Sequence, residues 1–368
     1  REMENEVVTT IYVKMKRLLF LMWMTSALIH ANAQGYTFLN ESNDDKMPLF
    51  NHLDASVTLG TTGIGIDLAT PITNWAQLRV GYAFMPRFHY PMTFEVQVGD
   101  TKEDKYDANG NRRQTKFDKM AALLEDLTGY KASDEVDMIG RPTYHNLKFM
   151  VDVFPFKRDK RWHVSAGFFW GPSKIANAYN VTEAMPSLFA VGMYNRLYDR
   201  TMASYESWQK AKRGEIPIWE VEPIITIGGI GLLDGEDMVE SLYKKMVSNG
   251  RMGIHLGDRV DAEGNVSRYM MEPGSDDMVK AEVRVNSFKP YLGVGYGGRL
   301  IKDDDRFHVA VDLGAMFWGG TPSVVTHDGT DLAKDVTNIG GKVGDYTKLI
   351  KAFKAFPVLD VRLVYTIF

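Results

Sequence analysis

Apolar and polar residues alternate with period two in one segment after another, the pattern of strands with one greasy and one wet face. Leu78, Val80, Tyr82 and Phe84 alternate with Gln77, Arg79, Gly81 and Ala83, and Met92, Phe94, Val96 and Val98 with Thr93, Glu95 and Gln97. The same alternation runs through 147–153, 162–170, 288–296, 307–317 and 359–367. In the last of these the odd positions are all apolar, while Asp360 and Arg362 share the other face. Residues 55–69 form an eighth, less regular segment, in which Val57 and Leu59 lie on one phase and Ile64, Ile66 and Leu68 on the other. We read the glycines between them as a bulge, since one extra residue inverts the faces.

The connections between these segments are asymmetric. Turns at 86–91, 157–160 and 302–305 are short, whereas 99–144, 172–281 and 319–355 are long; on the long-loop side only 71–74 is brief. Even strand number with short turns on one side predicts an all-β fold, a closed antiparallel transmembrane β-barrel of eight strands with both ends periplasmic. The segment 216–231 and the pair 252–256 and 266–271 read as strand extensions above the membrane, with ten spanning strands as the alternative. The long extracellular loops are predicted to be partly helical. Phe117, Met120, Ala121, Leu124 and Leu127 fall at helical spacing, Pro186 opens a helix reaching about Lys212, and Asp237 begins a third. Leu349, Ile350 and Phe353 suggest a short fourth.

Composition does not alter this picture. The 368 residues are 45% hydrophobic and 24% charged, with mean hydropathy −0.23, which reads as soluble; a barrel gives the same values because only alternate strand residues are apolar. Residues 1–14 read as an upstream appendage. Residues 15–33 read as a cleaved signal peptide: Met15, Lys16 and Arg17, an apolar run over 18–29, and an A-x-A site at Ala31, Asn32 and Ala33. That run, about 12 residues, is short of the roughly 20 that a spanning helix needs. Residues 34–54 then form a periplasmic segment and 55–368 the barrel with its insertions. Absence of cysteine excludes disulfides and thiolate chemistry. A net charge of −4 gives no reason to expect nucleic acid.

The polar phase assigns candidate lumen residues. Arg79, Lys148, Lys289, Arg299 and Arg362 face Glu95, Asp152, Asp312 and Asp360, a nearly balanced network suited to an eight-stranded interior that side chains fill. An ion or proton path through the same groups is the alternative use. Trp75, Trp170 and Phe317 mark the outer end of the strands, and Phe84, Tyr90, Trp162, Phe307 and Tyr365 the inner end, as interfacial girdles. His163, Ser165 and Asp312 can be assembled into a nucleophilic set on paper, but their place in a filled interior makes them lumen groups. No catalytic, metal or cofactor site is expected. The eight histidines lack ligand spacing, the Asp107–Asn111 and Asp261–Asn265 turns lack the closing Glu of a calcium loop, and the glycines at 228–231 precede no Lys-Ser/Thr.

SVTLGTTGIGIDLATPITNWAQLRVGYAFMP (56–86), VNSFKPYLGVGYGGR (285–299) and FHVAVDLGAMFWGG (307–320) resemble the small OmpA-like or OmpX-like outer-membrane barrels common in the Bacteroidota. The resemblance covers the strands from about Ala55 onward and not the helical insertions. It implies an outer-membrane location and no enzymatic activity, and names no substrate. One departure is that positions 366, 364, 362 and 360, in phase with Phe368, are not uniformly apolar, unlike the usual C-terminal assembly signal. With the chain ending on its last strand, a cell-wall domain is not expected. Three roles follow: a surface or structural barrel whose outer loops bind a protein or glycan, a narrow gated channel, or a soluble exported β-sandwich.

Overall fold

The structure, a computed structural model, describes residues 52–368 apart from 100–104, 130, 157–158, 228–229, 233–234, 261–263, 302–303 and 353. The appendage, the signal peptide and nearly all of 34–54 lie outside the described residues.

Alternating segments become strands, and the chain leaves them three times on long excursions. It begins as a meander of β1 (Asp54–Gly60), β2 (Gly63–Thr73) and β3 (Ala76–Phe84). The first excursion carries β4 (Tyr90–Val98), α1 (Lys116–Thr128) and β5 (Glu135–Pro142), and returns to the hairpin of β6 (His145–Val153) and β7 (Trp162–Trp170). The second holds β8 (Lys174–Asn180), α2 (Met185–Lys212), the small hairpin β9 (Ile225–Ile227) and β10 (Ile230–Leu232), then α3 (Glu236–Asn249), β11 (Met252–Val260), β12 (Val266–Met271) and β13 (Lys280–Arg284). After the long hairpin of β14 (Phe288–Ile301) and β15 (Asp304–Phe317) come β16 (Ser323–Thr326), β17 (Val336–Thr337) and α4 (Gly341–Ala352). The last strand is β18 (Ala355–Thr366).

Eight of these strands close on themselves in the order β1-β18-β15-β14-β7-β6-β3-β2. Every pairing is antiparallel, and β1 zips to β18 from Asp54↔Thr366 to Gly60↔Asp360. A second sheet, β12-β11-β4-β5-β8-β13-β16 with β17 beside β11, stands outside the barrel. It is built from all three excursions, so they form one cap over one mouth. Its core packs Val136, Met138, Leu188, Val191, Met252 and Ile254 between sheet and helices. The opposite mouth has only short connections.

Two features differ from the expectation, and they offset each other in the strand count. Residues 55–69 are not one bulged strand but the hairpin of β1 and β2, in register Val57↔Ile66 and Leu59↔Ile64 around a turn at Thr61 and Thr62. A two-residue turn reverses the chain and shifts the outward phase from odd to even, which alternation alone cannot distinguish from a bulge. Gly63, at φ 97°, supplies the left-handed backbone at the turn. The expected strand at 92–98 lies outside the barrel: β4 pairs with β5 and β11 in the cap sheet. Consequently 86–91 belongs to the cap side, and the brief connection near 71–74 lies on the short-turn side. β11 and β12 are likewise cap strands, so the barrel has eight staves and not ten.

Candidate functional site

The barrel interior buries a cluster of ionisable side chains. On β3, Arg79 donates from Nε and Nη2 to the two carboxylate oxygens of Asp152 on β6, at 2.9 and 2.8 Å. Gln77 and Ser165 donate to the same carboxylate at 2.9 and 2.6 Å. Such forked, charge-assisted contacts fix geometry as well as energy. Arg362 on β18 donates to Asp312 on the neighbouring β15 at 2.5 and 3.2 Å. His163 Nε2 lies 2.7 Å from Asp312 Oδ1, and Arg79 Nη1 is 3.9 Å from Asp312 Oδ2, joining the two clusters. A third pair sets Lys148 Nζ 2.6 Å from Asp67, which also accepts from the Thr58 hydroxyl at 2.5 Å.

Glycines make room for these groups. A Cβ on Gly81 would sit 2.0 Å from Asp67 Oδ1 and 2.4 Å from the Ile66 carbonyl, and one on Gly295 would sit 2.2 Å from His163 Nε2 and 2.6 Å from Asp312 Oδ1. The ions occupy volume that side chains at these positions would take.

Apolar residues stopper the network at the cap end. Toward the cap, Tyr144, Met150, Phe169, Tyr291, Met316 and Trp318 form a cluster, with Phe169 edge-on to Tyr291. Toward the short turns, Phe154, Ala310 and Val364 pack together, with Ala310 level with Arg362 and Val364 with His308. Lys148, Asp152, Lys289 and Arg362 are at most 2% exposed. A water-filled passage would wet them.

The structure gathers Arg79, Lys148, Asp152, Asp312 and Arg362 into these contacts. Asp360, in register with Asp312, accepts from the Thr62 hydroxyl at 3.2 and 3.3 Å. Lys289 donates to the Asn146 side chain at 2.9 Å and the Ser287 carbonyl at 3.2 Å. Arg299 lies on β14 opposite His308, near the short-turn end. Glu95 is not in the lumen, because β4 is a cap strand; its carboxylate is 2.7 Å from Lys105. Sequence reasoning missed Asp67. Its signal was present, since Asp67 stands between outward Ile66 and Leu68 once residues 55–69 are folded into a hairpin. The paper nucleophile does not form, because the Ser165 hydroxyl donates to Asp152, away from His163.

On the outer wall the apolar phase is bare. Val57, Ile66, Leu292 and Leu313 are 55, 62, 56 and 56% exposed, and Leu59, Leu68, Val294 and Leu363 continue the ring. Trp170 and Phe317 stand at the cap end of their strands. Trp75, placed by the sequence at the outer end, is instead at the short-turn end with Trp162, Phe307 and Tyr365, since the turn holding it joins β2 to β3. Phe84 moves the opposite way, to the cap end, and Tyr90 into the cap.

No protein-family model matches the chain, and no curated protein matches it. Among solved structures the chain is similar to CarO2 of Acinetobacter baumannii, at 12% identity and TM-score 0.34 over 87% of this chain and 100% of that one. CarO of the same organism shows 13% identity and TM-score 0.32, covering 88% and 99%. A major outer membrane protein from Thermus thermophilus shows 12% and 0.25, covering 86% and 98%.

Proposed function

We propose that the protein is an integral outer-membrane barrel with a sealed interior, and that its role resides in the surface cap, which engages a protein or glycan partner. The observation that carries this reading is the uninterrupted ring of exposed aliphatic side chains on the barrel wall. Soluble proteins rarely leave so large an apolar surface bare, and in a bilayer lipid covers it while closure satisfies every backbone group. Trp75, Trp162, Trp170, Phe307, Phe317 and Tyr365 then sit at the two headgroup levels. The lumen charges act as a plug and as a rigid footing for the cap. Burial of those charges beneath the apolar cluster at the cap end weighs against the narrow-channel alternative.

Because the chain contains no cysteine, single substitutions carry a polarity-sensitive probe without background. In reconstituted vesicles Val80→Cys is expected to report hydrocarbon and Glu282→Cys water; a Val80 probe in water would end the membrane reading. Planar bilayers are expected to stay silent, whereas steady ohmic steps would overturn the sealed interior.

A further inference from the structure

We propose that the cap holds a single linear apolar chain, of the acyl class, in a slot between the core face of its sheet and the barrel rim. Two cavities adjoin there. One, of about 370 Å³, sits on the barrel mouth against Thr61, Met85, Tyr144, Trp318 and Phe356. The other, of about 400 Å³, runs along the sheet beside α4, against Met92, Met138, Ala178, Leu256 and Met271. Pro142, Val283 and Ile350 line both, so the cavities are adjoining compartments. Each falls in the range of small-ligand sites, about 300–1,000 Å³.

Strand register decides what the slot offers an occupant. Gly140 pairs with Ala178 and Ala178 with Ala281, while Pro142 pairs with Ala176, Ala176 with Val283 and Val283 with Val324. These small apolar residues share one face. The adjacent row, Arg141, Asn177 and Glu282, alternates with them by the period of two and borders the upper cavity. Glu282 is engaged there by Lys174 and Arg284, at 3.0 and 2.8 Å. The slot therefore presents mainly hydrocarbon, and the Glu282 carboxylate at its border is already paired. A charged solute, or a peptide with its backbone donors and acceptors, would lose its hydrogen bonds to water without replacement. A linear hydrocarbon chain loses none, and the four lining methionines, Met85, Met92, Met138 and Met271, adapt to irregular apolar shapes. The lower compartment begins at the Thr61 turn on the rim. On the membrane reading above, that is the level at which lipid chains are nearest.

The test uses the full-length protein in nanodiscs of a saturated phospholipid. A fatty acid with a terminal diazirine, or a phospholipid with the diazirine on one acyl chain, is photoactivated and the labelled peptides are mapped. Label on the peptides bearing Met138 or Ile350, from either source, is expected, and the two arms separate a free acid from a membrane lipid as occupant. Val283→Trp, which fills the wall common to both compartments, is expected to lower that label at least tenfold, whereas Arg213→Ala, exposed at the end of α2 and outside both linings, leaves it unchanged. Label confined to Val57, Ile66 and Leu68 would show annular lipid only and overturn the proposal, as would full labelling of a correctly folded Val283→Trp protein. Should Val283→Trp lose the gel shift of a heated barrel, the peptide map of the unaltered protein decides by itself. The Val80 probe tests the membrane reading separately, so failure of one is distinguishable from failure of the other.

Discussion

Asp312 is the residue on which the interior converges. It accepts from Arg362, contacts His163 and lies within ion-pair distance of Arg79. Replacing a whole buried ion pair by apolar residues is often neutral, but removing one partner strands the other charge. Asp312→Ala is therefore expected to destabilise the barrel by about 3–5 kcal/mol, read from urea unfolding in detergent by the heat-dependent gel shift. Lys289 makes the opposite case. Its ammonium rests on the Asn146 side chain and a carbonyl, and no carboxylate pairs with it among the described residues. Lys289→Met is expected to be neutral or stabilising in the same assay. Gly295→Ala inserts a methyl group where His163 and Asp312 meet and is expected to cost about 1–3 kcal/mol, as overpacking does. A loss confined to tenths would mean that this junction is loose.

Among the elements, α1 shows how local chemistry fixes a boundary in the cap. Thr115 accepts from the Asp118 backbone N–H at 3.1 Å, and the Asp118 carboxylate accepts from the Thr115 N–H at 2.9 Å, a reciprocal capping box. Thr115→Ala is expected to lower cap stability by about 1 kcal/mol, measured by hydrogen exchange along 116–128. Burial pushes the Asp118 carboxyl up, but the Thr115 N–H and hydroxyl and the Arg112 guanidinium outweigh it and hold it below the usual range. With its folded value depressed, the contribution is complete above about pH 4 and is lost as pH falls through the folded value. Protection of α1 should thus fade on acidification below pH 4, and Asp118→Asn should remove that dependence. All four α-helices among the described residues stand where apolar spacing and Pro186 put them, because those signals are local. Strand membership was less legible. The apolar face of β4, Phe94, Val96 and Val98, meets cap helices instead of lipid, and period two reports a greasy face without saying what covers it. Likewise Asp67 was hidden by a phase change that a bulge and a tight turn produce alike. Replacing 85–144 with a short turn is expected to leave a heat-modifiable barrel, since no stave lies within it; a barrel needing β4 would not survive.

At the scale of the whole molecule, the two mouths have opposite characters. One carries three excursions woven into a single sheet, and the other only short turns. The cap is joined to the barrel by apolar contacts at the rim, where Tyr144, Val285 and Trp318 continue the stopper upward. Its periphery is separable in kind: Arg213 is exposed beside Gly214, which has φ 74°. Trypsin added outside vesicles is expected to cut at Arg213 while the fragments remain together and keep the gel shift of an intact barrel. Dissociation on cutting would mean that the second excursion holds the staves together.

The seam between β1 and β18 continues past the sheet proper, with the Leu53 N–H donating to the Phe368 carbonyl at 3.1 Å and the Ile367 N–H to the Leu53 carbonyl at 2.8 Å. The first stave synthesised must therefore wait for the last, and until that meeting the nascent wall has two raw borders able to seize any passing strand. A chain halted before residue 355 would lack β18 and stay an unrolled ribbon, prone to clump however well its crown had formed.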